Sequence, residues 1–136
     1  MILQVGVKAF IKNKDAKFLL LERNLEKYQD MNRSNRWDIV GGRIDAESSL
    51  IDNLRREIFE ETKLNLDISV TPKLIAAQDI MKADKHVVRL TYIAEANGDV
   101  ILDDEHIGYQ WLTLEELNQL EDLDSYAKEL LSQLEL

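Results

Sequence analysis

The chain has 136 residues, 45% hydrophobic and 32% charged, with no low-complexity tract, which suits one domain spanning 1–136 around a single core. It contains no cysteine, which excludes disulfides, thiolate metal sites and a cysteine nucleophile. A formal net charge of −9 argues against a broad basic surface that grips nucleic acid backbones, yet leaves room for a small anionic substrate beside a bound cation. There is no run of eighteen apolar residues, and the start "MILQVGVKAF" lacks the basic and small-residue flanks of a signal peptide. The expectation is a cytoplasmic protein without membrane contact.

The first half reads as strands. "LQVGVKAFI" sets Leu3, Val5, Val7, Ala9 and Ile11 against Gln4, Gly6, Lys8 and Phe10, a period of two. "KNKDAK" is a turn and "FLLLER" a returning strand, so residues 2–23 are expected to form a β-hairpin. The polar stretch 24–36 has no period and is expected to be a loop. "WDIVGG" follows as a short apolar strand ending in Gly41 and Gly42, which lets the backbone approach a ligand closely.

From Ser49 to Thr62 the period becomes helical, with Ser48 or Ser49 as N-cap and Asp52 completing a pattern like a capping box. Strand-like runs return at "KLIAAQDI" and "HVVRLTYIAEA", separated from "YQWL" by a turn at 97–99. Thr113 and Glu116 cap a helix reaching about Leu120, and "SYAKELLSQLEL" is expected as a second amphipathic helix. Its stripe of Tyr126, Leu130, Leu131 and Leu134 packs on the sheet or forms a dimer contact. The order of elements predicts an α+β or α/β/α sandwich.

On a wheel of about 100° per residue, Leu50, Ile51, Leu54 and Ile58 form a stripe about 100° wide. Glu57 and Glu60 lie beside that stripe and Glu61 falls inside it. Residues three and four apart are neighbours on a helix, so the three carboxylates of "RREIFEET" repel one another. Such a cluster is either a solvated face laced with weak ion pairs or a site for a hard divalent cation, Mg²⁺ or Mn²⁺.

The segment "GRIDAESSLIDNLRREIFEETKL", residues 42–64, resembles the box of the Nudix hydrolases, G-x5-E-x7-R-E-U-x-E-E-x-G-U with U aliphatic. Gly42 matches its first glycine, Arg56 to Glu61 match R-E-U-x-E-E, and Leu64 matches the last aliphatic. Two positions depart: Ser48 stands at the first glutamate, with Glu47 one residue early, and Lys63 stands at the second glycine. Ser48 loses a partner for Arg56 that Glu47 is expected to replace; Lys63 puts a Cβ where the chain turns left-handed. The resemblance extends loosely over about 3–120.

The resemblance implies a Nudix-type α/β/α sandwich with a mixed central β-sheet, and hydrolysis of a nucleoside diphosphate linked to another moiety, using Mg²⁺ or Mn²⁺. It implies that Glu57, Glu60 and Glu61 hold the cations, that Glu57 handles the attacking water, and that Arg56 orients the carboxylates. Gly41 and Gly42 would let the diphosphate lie close. Glu105, from a later segment, is either a further metal ligand or an exposed loop acid. Trp37 either stacks on a base or belongs to the core, and Arg36 meets phosphate or solvent. Arg23 is expected to be solvated, His86 and His106 to be ordinary strand and loop residues, and 24–36 and 81–86 to wall the pocket.

The short chain favours a MutT-like enzyme releasing pyrophosphate from nucleoside triphosphates. An ADP-ribose or nucleotide-sugar pyrophosphatase, or a nucleotide-binding module without catalysis, are the alternatives. The expected partner is a small nucleotide, with no extended nucleic acid, in a monomer or homodimer.

Overall fold

The computed structural model describes residues 1–26 and 35–134. The hairpin is present: β1 (Ile2–Lys12) and β2 (Phe18–Arg23) run antiparallel. Asn13 Oδ1 closes the turn by accepting the N–H groups of Asp15 and Lys17, both at 3.0 Å. β1 is central. One edge pairs antiparallel with β4 (Val40–Arg43), and the other pairs parallel, along the whole of β1, with residues 85–95 of β7 (Lys85–Asn97). β7 also carries β6 (Lys73–Met81) and the short β5 (Asn65–Leu66), both antiparallel. β2 extends the sheet through β8 (His106–Leu112) and β3 (Trp37–Asp38). The sheet is therefore mixed, as expected.

Alternation along the strands divides the core in two. Val7, Ala9, Ile11, Leu19 and Leu21 face α1 (Leu50–Thr62) through Leu54 and Ile58. Phe10, Phe18 and Leu20 point the other way, towards α2 (Leu114–Gln119), α3 (Ser125–Lys128) and a 3₁₀ turn at Leu131–Leu134. That is an α/β/α sandwich, each face of the sheet covered by helix. Among the described residues no helix is long and apolar enough to cross a membrane.

Three expectations need correction. "WDIVGG" is two strands rather than one. The Asp38 carboxylate takes the Ile39 N–H at 2.7 Å, so the ladder changes partner there, from β2 to β1. The final helix is a single α-turn followed by a 3₁₀ turn, because the N–H groups of Leu130 and Gln133 bond three residues back, to Ala127 and Leu130. The buried face of α1 is also rotated from the one expected. It comprises Asn53, Leu54, Glu57, Ile58, Glu61 and Thr62, while Leu50 is exposed and Ile51 half-buried. Glu57 thus belongs to the buried face.

Candidate active site

The site begins at the start of α1. Ser49 is the N-cap and accepts the Asp52 N–H at 3.0 Å. Asn53, fully buried, fixes the preceding loop: its Oδ1 accepts the Asp45 N–H at 2.8 Å, and its Nδ2 donates to the carbonyls of Ser48 and Ser49. At the far end Lys63 adopts the left-handed conformation (φ 62°) that its position demands, with its N–H on the Phe59 carbonyl at 2.9 Å. Its ammonium sits 5.0 Å from the Phe59 ring centroid.

Arg56 organises the carboxylate face. Its guanidinium reaches Glu57 Oε1 at 3.1 Å, Glu60 Oε2 at 3.3 Å and Asn53 Oδ1 at 2.9 Å. The acid that replaces the missing partner is Asp45, 3.4 Å from the guanidinium, rather than the expected Glu47, whose backbone turns left-handed (φ 73°). Ser48 therefore costs Arg56 little.

Two of the three glutamates are buried and the third is open. Glu57 and Glu61 are each 9% exposed, whereas the Glu60 side chain is 55% exposed. Gly41 and Gly42 lie against them for different reasons. Gly41 has φ +138°, a Cβ there would stand 2.1 Å from the Val7 carbonyl oxygen, and its N–H donates to Glu61 Oε1 at 2.8 Å. A Cβ on Gly42 would meet Glu57 Oε2 at 2.8 Å. Burial pushes the Glu61 carboxyl up to about 8, against the opposing pull of Lys8 and of the Gly41 N–H. Burial also raises Glu57, with Arg56 opposing it. Buried oxygen donors that are costly to ionise without a counter-charge fit a hard divalent cation.

A buried charge cluster supports the glycine turn from below, and sequence reasoning missed it. Asp38 accepts from Lys8 Nζ at 2.8 Å and from Arg23, and Asp124 binds Arg89 at 2.9 Å and Arg23 at 3.3 Å. Burial alone would raise Asp38, but Lys8, Arg23 and Arg89 overcome it and hold the carboxyl well below the usual range. Arg23, expected in solvent, is buried, its guanidinium satisfied by Asp38, Asp124 and the Asn35 carbonyl. The available signal was charge at inward positions: Lys8 within an apolar strand and Asp38 within "WDIV".

Beside Gly42 the sheet opens into a cleft of about 180 Å³. Lys8, Arg43, Lys82 and Arg89 line it together with Val5 and Ile80, and no acid is among its described lining residues. Of the expected wall at 81–86, Lys82, in the turn between β6 and β7, lines this cleft. Of the other expected wall, residues 27–34 lie outside the described residues.

The structure does not bring the remaining candidates to this cleft. Trp37 is buried in the core with Phe10 and Leu123, and the Arg36 guanidinium stands 5.5 Å from its ring centroid. Arg36 pairs with Glu22 at 3.0 Å and Asp122 at 3.6 Å, lining a larger, mixed-charge hollow of about 540 Å³ with Asn24. Glu105 is exposed, and its carbonyl accepts the Asn24 N–H at 2.9 Å. The groups that do gather at Glu61 are Asp103 and His106.

Comparison with known proteins follows this geometry. The NUDIX domain family matches residues 2–134. Among solved structures the chain is similar to a MutT protein from Methanosarcina mazei Go1, at 27% identity and a TM-score of 0.82, covering 98% of this chain and 93% of that one. A MutT NUDIX hydrolase from Burkholderia pseudomallei matches at 23% identity and a TM-score of 0.76, covering 100% of both chains. A UDP-X diphosphatase matches at 23% identity and a TM-score of 0.70, covering 98% of this chain and 63% of that one. The last two likenesses are of fold. No curated protein sequence matches the chain.

Proposed function

The chain belongs to the NUDIX family, hydrolases that act on pyrophosphate bonds of small nucleotides with divalent metal ions, and from that premise we propose that it cleaves nucleoside triphosphates to the monophosphate and pyrophosphate. One juxtaposition carries the proposal: the buried carboxylates of Glu57 and Glu61 stand behind Gly41 and Gly42, whose other side opens into a cleft lined by cations. A cleft of about 180 Å³ is smaller than the few hundred Å³ of a typical ligand pocket. It takes one end of a nucleotide, and the phosphate chain must lie across the glycines towards α1.

The residues divide the work. Glu57, Glu60 and Glu61 would hold Mg²⁺ or Mn²⁺, which would supply neutralisation of the diphosphate oxygens and a more acidic water. Glu57 handles the attacking water, and its position is held by Arg56 at 3.1 Å on one side and by Gly42 on the other. Arg56 also holds Glu60, so one guanidinium fixes the spacing of two ligands. Arg43 and Lys82, exposed at the rim, attract the phosphates, and Val5 and Ile80 give the base an apolar surface.

The test is product analysis on a panel of nucleoside triphosphates, ADP-ribose and nucleotide sugars, with Mg²⁺, with Mn²⁺ and with chelator. Monophosphate and pyrophosphate are expected from triphosphates, with turnover abolished by chelator and by Glu60→Gln. Turnover confined to ADP-ribose or a nucleotide sugar would replace the proposed substrate by that class. Nucleotide binding without turnover of any compound would make the chain a binding module.

A further inference from the structure

Asp103 and His106 lie outside the box at residues 42–64, yet the fold delivers both to its last glutamate, Glu61. The Ile101 N–H donates to the Thr62 carbonyl at 2.9 Å, tying the incoming loop to the end of α1. His106 then opens β8, in register with Arg23 of β2. Each of Glu61, Asp103 and His106 offers a donor atom within 4.8 Å of the other two. Asp103 Oδ1 is 2.7 Å from His106 Nδ1, and the imidazole is 7% exposed.

Glu61 supplies an independent observation. It is 9% exposed, and among the described residues its only hydrogen bond comes from the Gly41 N–H to Oε1. Its carboxylate lies in one group with an oriented imidazole and a second carboxylate. A carboxylate so far withdrawn from water is costly to ionise with a single N–H as its partner, and a cation beside it removes that cost.

We propose that Glu61, Asp103 and His106 form a mixed oxygen–nitrogen cation site, in which His106 gives a ring nitrogen and the ion is a transition metal such as Mn²⁺ or Co²⁺ in preference to Mg²⁺. The inference rests on Glu61 being a cation ligand, as proposed above. Ligands trans to one another across an ion at about 2.1–2.2 Å are about 4.3 Å apart, so donors spread over no more than 4.8 Å need only a small closure to share one ion. An imidazole nitrogen raises affinity along the first-row series and gives little to Mg²⁺, which favours oxygen and retains its waters. A carboxylate on the other ring nitrogen fixes tautomer and orientation, so Asp103 serves as a positioning residue even where the ion takes only Nε2.

The experiment is Mn²⁺ added alone to the full chain and read by pulsed electron paramagnetic resonance, with calorimetry of Mn²⁺, Co²⁺ and Mg²⁺ binding. The wild type is expected to show nitrogen hyperfine coupling to Mn²⁺ that His106→Asn abolishes. Mn²⁺ and Co²⁺ affinity should fall by about tenfold or more in that variant, with Mg²⁺ affinity changed less than about twofold. Asp103→Asn should retain the nitrogen coupling and weaken binding, which keeps the test open should His106→Asn fail to fold. Bound Mn²⁺ without nitrogen coupling in the wild type overturns the proposal. Triphosphate cleavage without nitrogen coupling removes this site and leaves the hydrolase assignment; coupling without cleavage of any triphosphate does the reverse.

Discussion

Glu61→Gln should stabilise the chain when divalent cations are absent. The carboxyl ordinarily ionises near 4.5 and in the folded protein does so at about 8. Between those values the folded chain holds a proton that the unfolded chain has released, so stability falls as pH rises through that window. At about 1.4 kcal/mol per pH unit the full cost approaches about 5 kcal/mol above pH 8, and at pH 7 it is about 3 kcal/mol. Glutamine has nearly the same volume and still accepts the Gly41 N–H, so the substitution removes the charge and little else. Urea unfolding with chelator should therefore show Glu61→Gln more stable than wild type by up to about 3 kcal/mol at pH 7, with the gap closing near pH 4. Mn²⁺ at a thousand times its dissociation constant should reverse the order, because a ligand at that excess adds about 4.1 kcal/mol to a chain that binds it. A variant less stable than wild type at pH 7 with chelator, or a gap independent of pH, would refute the argument that burial makes this carboxylate costly.

Two further expectations concern the cluster beneath the site and the glycines beside it. Asp38→Asn leaves Lys8, Arg23 and Arg89 facing one another with only Asp124 to neutralise them, and should cost about 3–5 kcal/mol in urea unfolding. Because the Asp38 carboxyl is held low, wild type should keep that advantage at neutral pH and lose it as pH falls below about 4, into the range where the unfolded aspartate protonates; a gap unchanged from pH 7 to pH 2 would count against it. Gly42→Ala should keep the fold within about 1 kcal/mol in thermal unfolding and cut kcat at least about tenfold, since its methyl displaces the Glu57 carboxylate. Gly41→Ala, with φ +138° and a Cβ 2.1 Å from a backbone oxygen, should lose the fold itself; equal behaviour of the two variants would show that the glycines are interchangeable.

What could be read from the chain divides along the range of the interactions. The hairpin, α1 with its Ser49 cap and the Thr113 capping box are set by neighbours within four residues, and periodicity and capping expose them directly. The carboxylate helix was legible for the same reason, since "RREIFEE" carries the proposed cation ligands and the arginine that pairs with them on adjacent turns. The split of "WDIVGG" was not, because it depends on Asp38 answering Lys8 from thirty residues earlier and Arg89 from fifty-one residues later. Arg23 shows the same blindness: at the end of a strand it looks like a solvated charge, and Asp38, 15 residues away, together with Asp124, 101 residues away, makes burial affordable. Trp37 and Arg36 were drawn towards the cleft by sequence proximity to the glycines, but the change of ladder partner at Ile39 aims them elsewhere.

The same separation explains the architecture of the site. Local sequence places three carboxylates on one helix, and by itself that arrangement is only a repulsive surface. Long-range pairing converts it. The parallel register of β1 with β7 sets Arg89 opposite Gly6, two residues along β1 from Lys8, and Asp38 and Asp124 hold both cations beside β4. β4 then lies antiparallel to β1 so that Gly41 and Gly42 separate those cations from the acids of α1. The two charge layers are kept apart by glycine backbone, too thin to admit a Cβ on either residue. A phosphate chain lying across that backbone faces cations on the sheet side and cation ligands on the helix side. Under the proposed function, a polyanion approaching a chain of net charge −9 would be drawn here, where the acids are the proposed cation ligands and the cleft is lined by lysine and arginine.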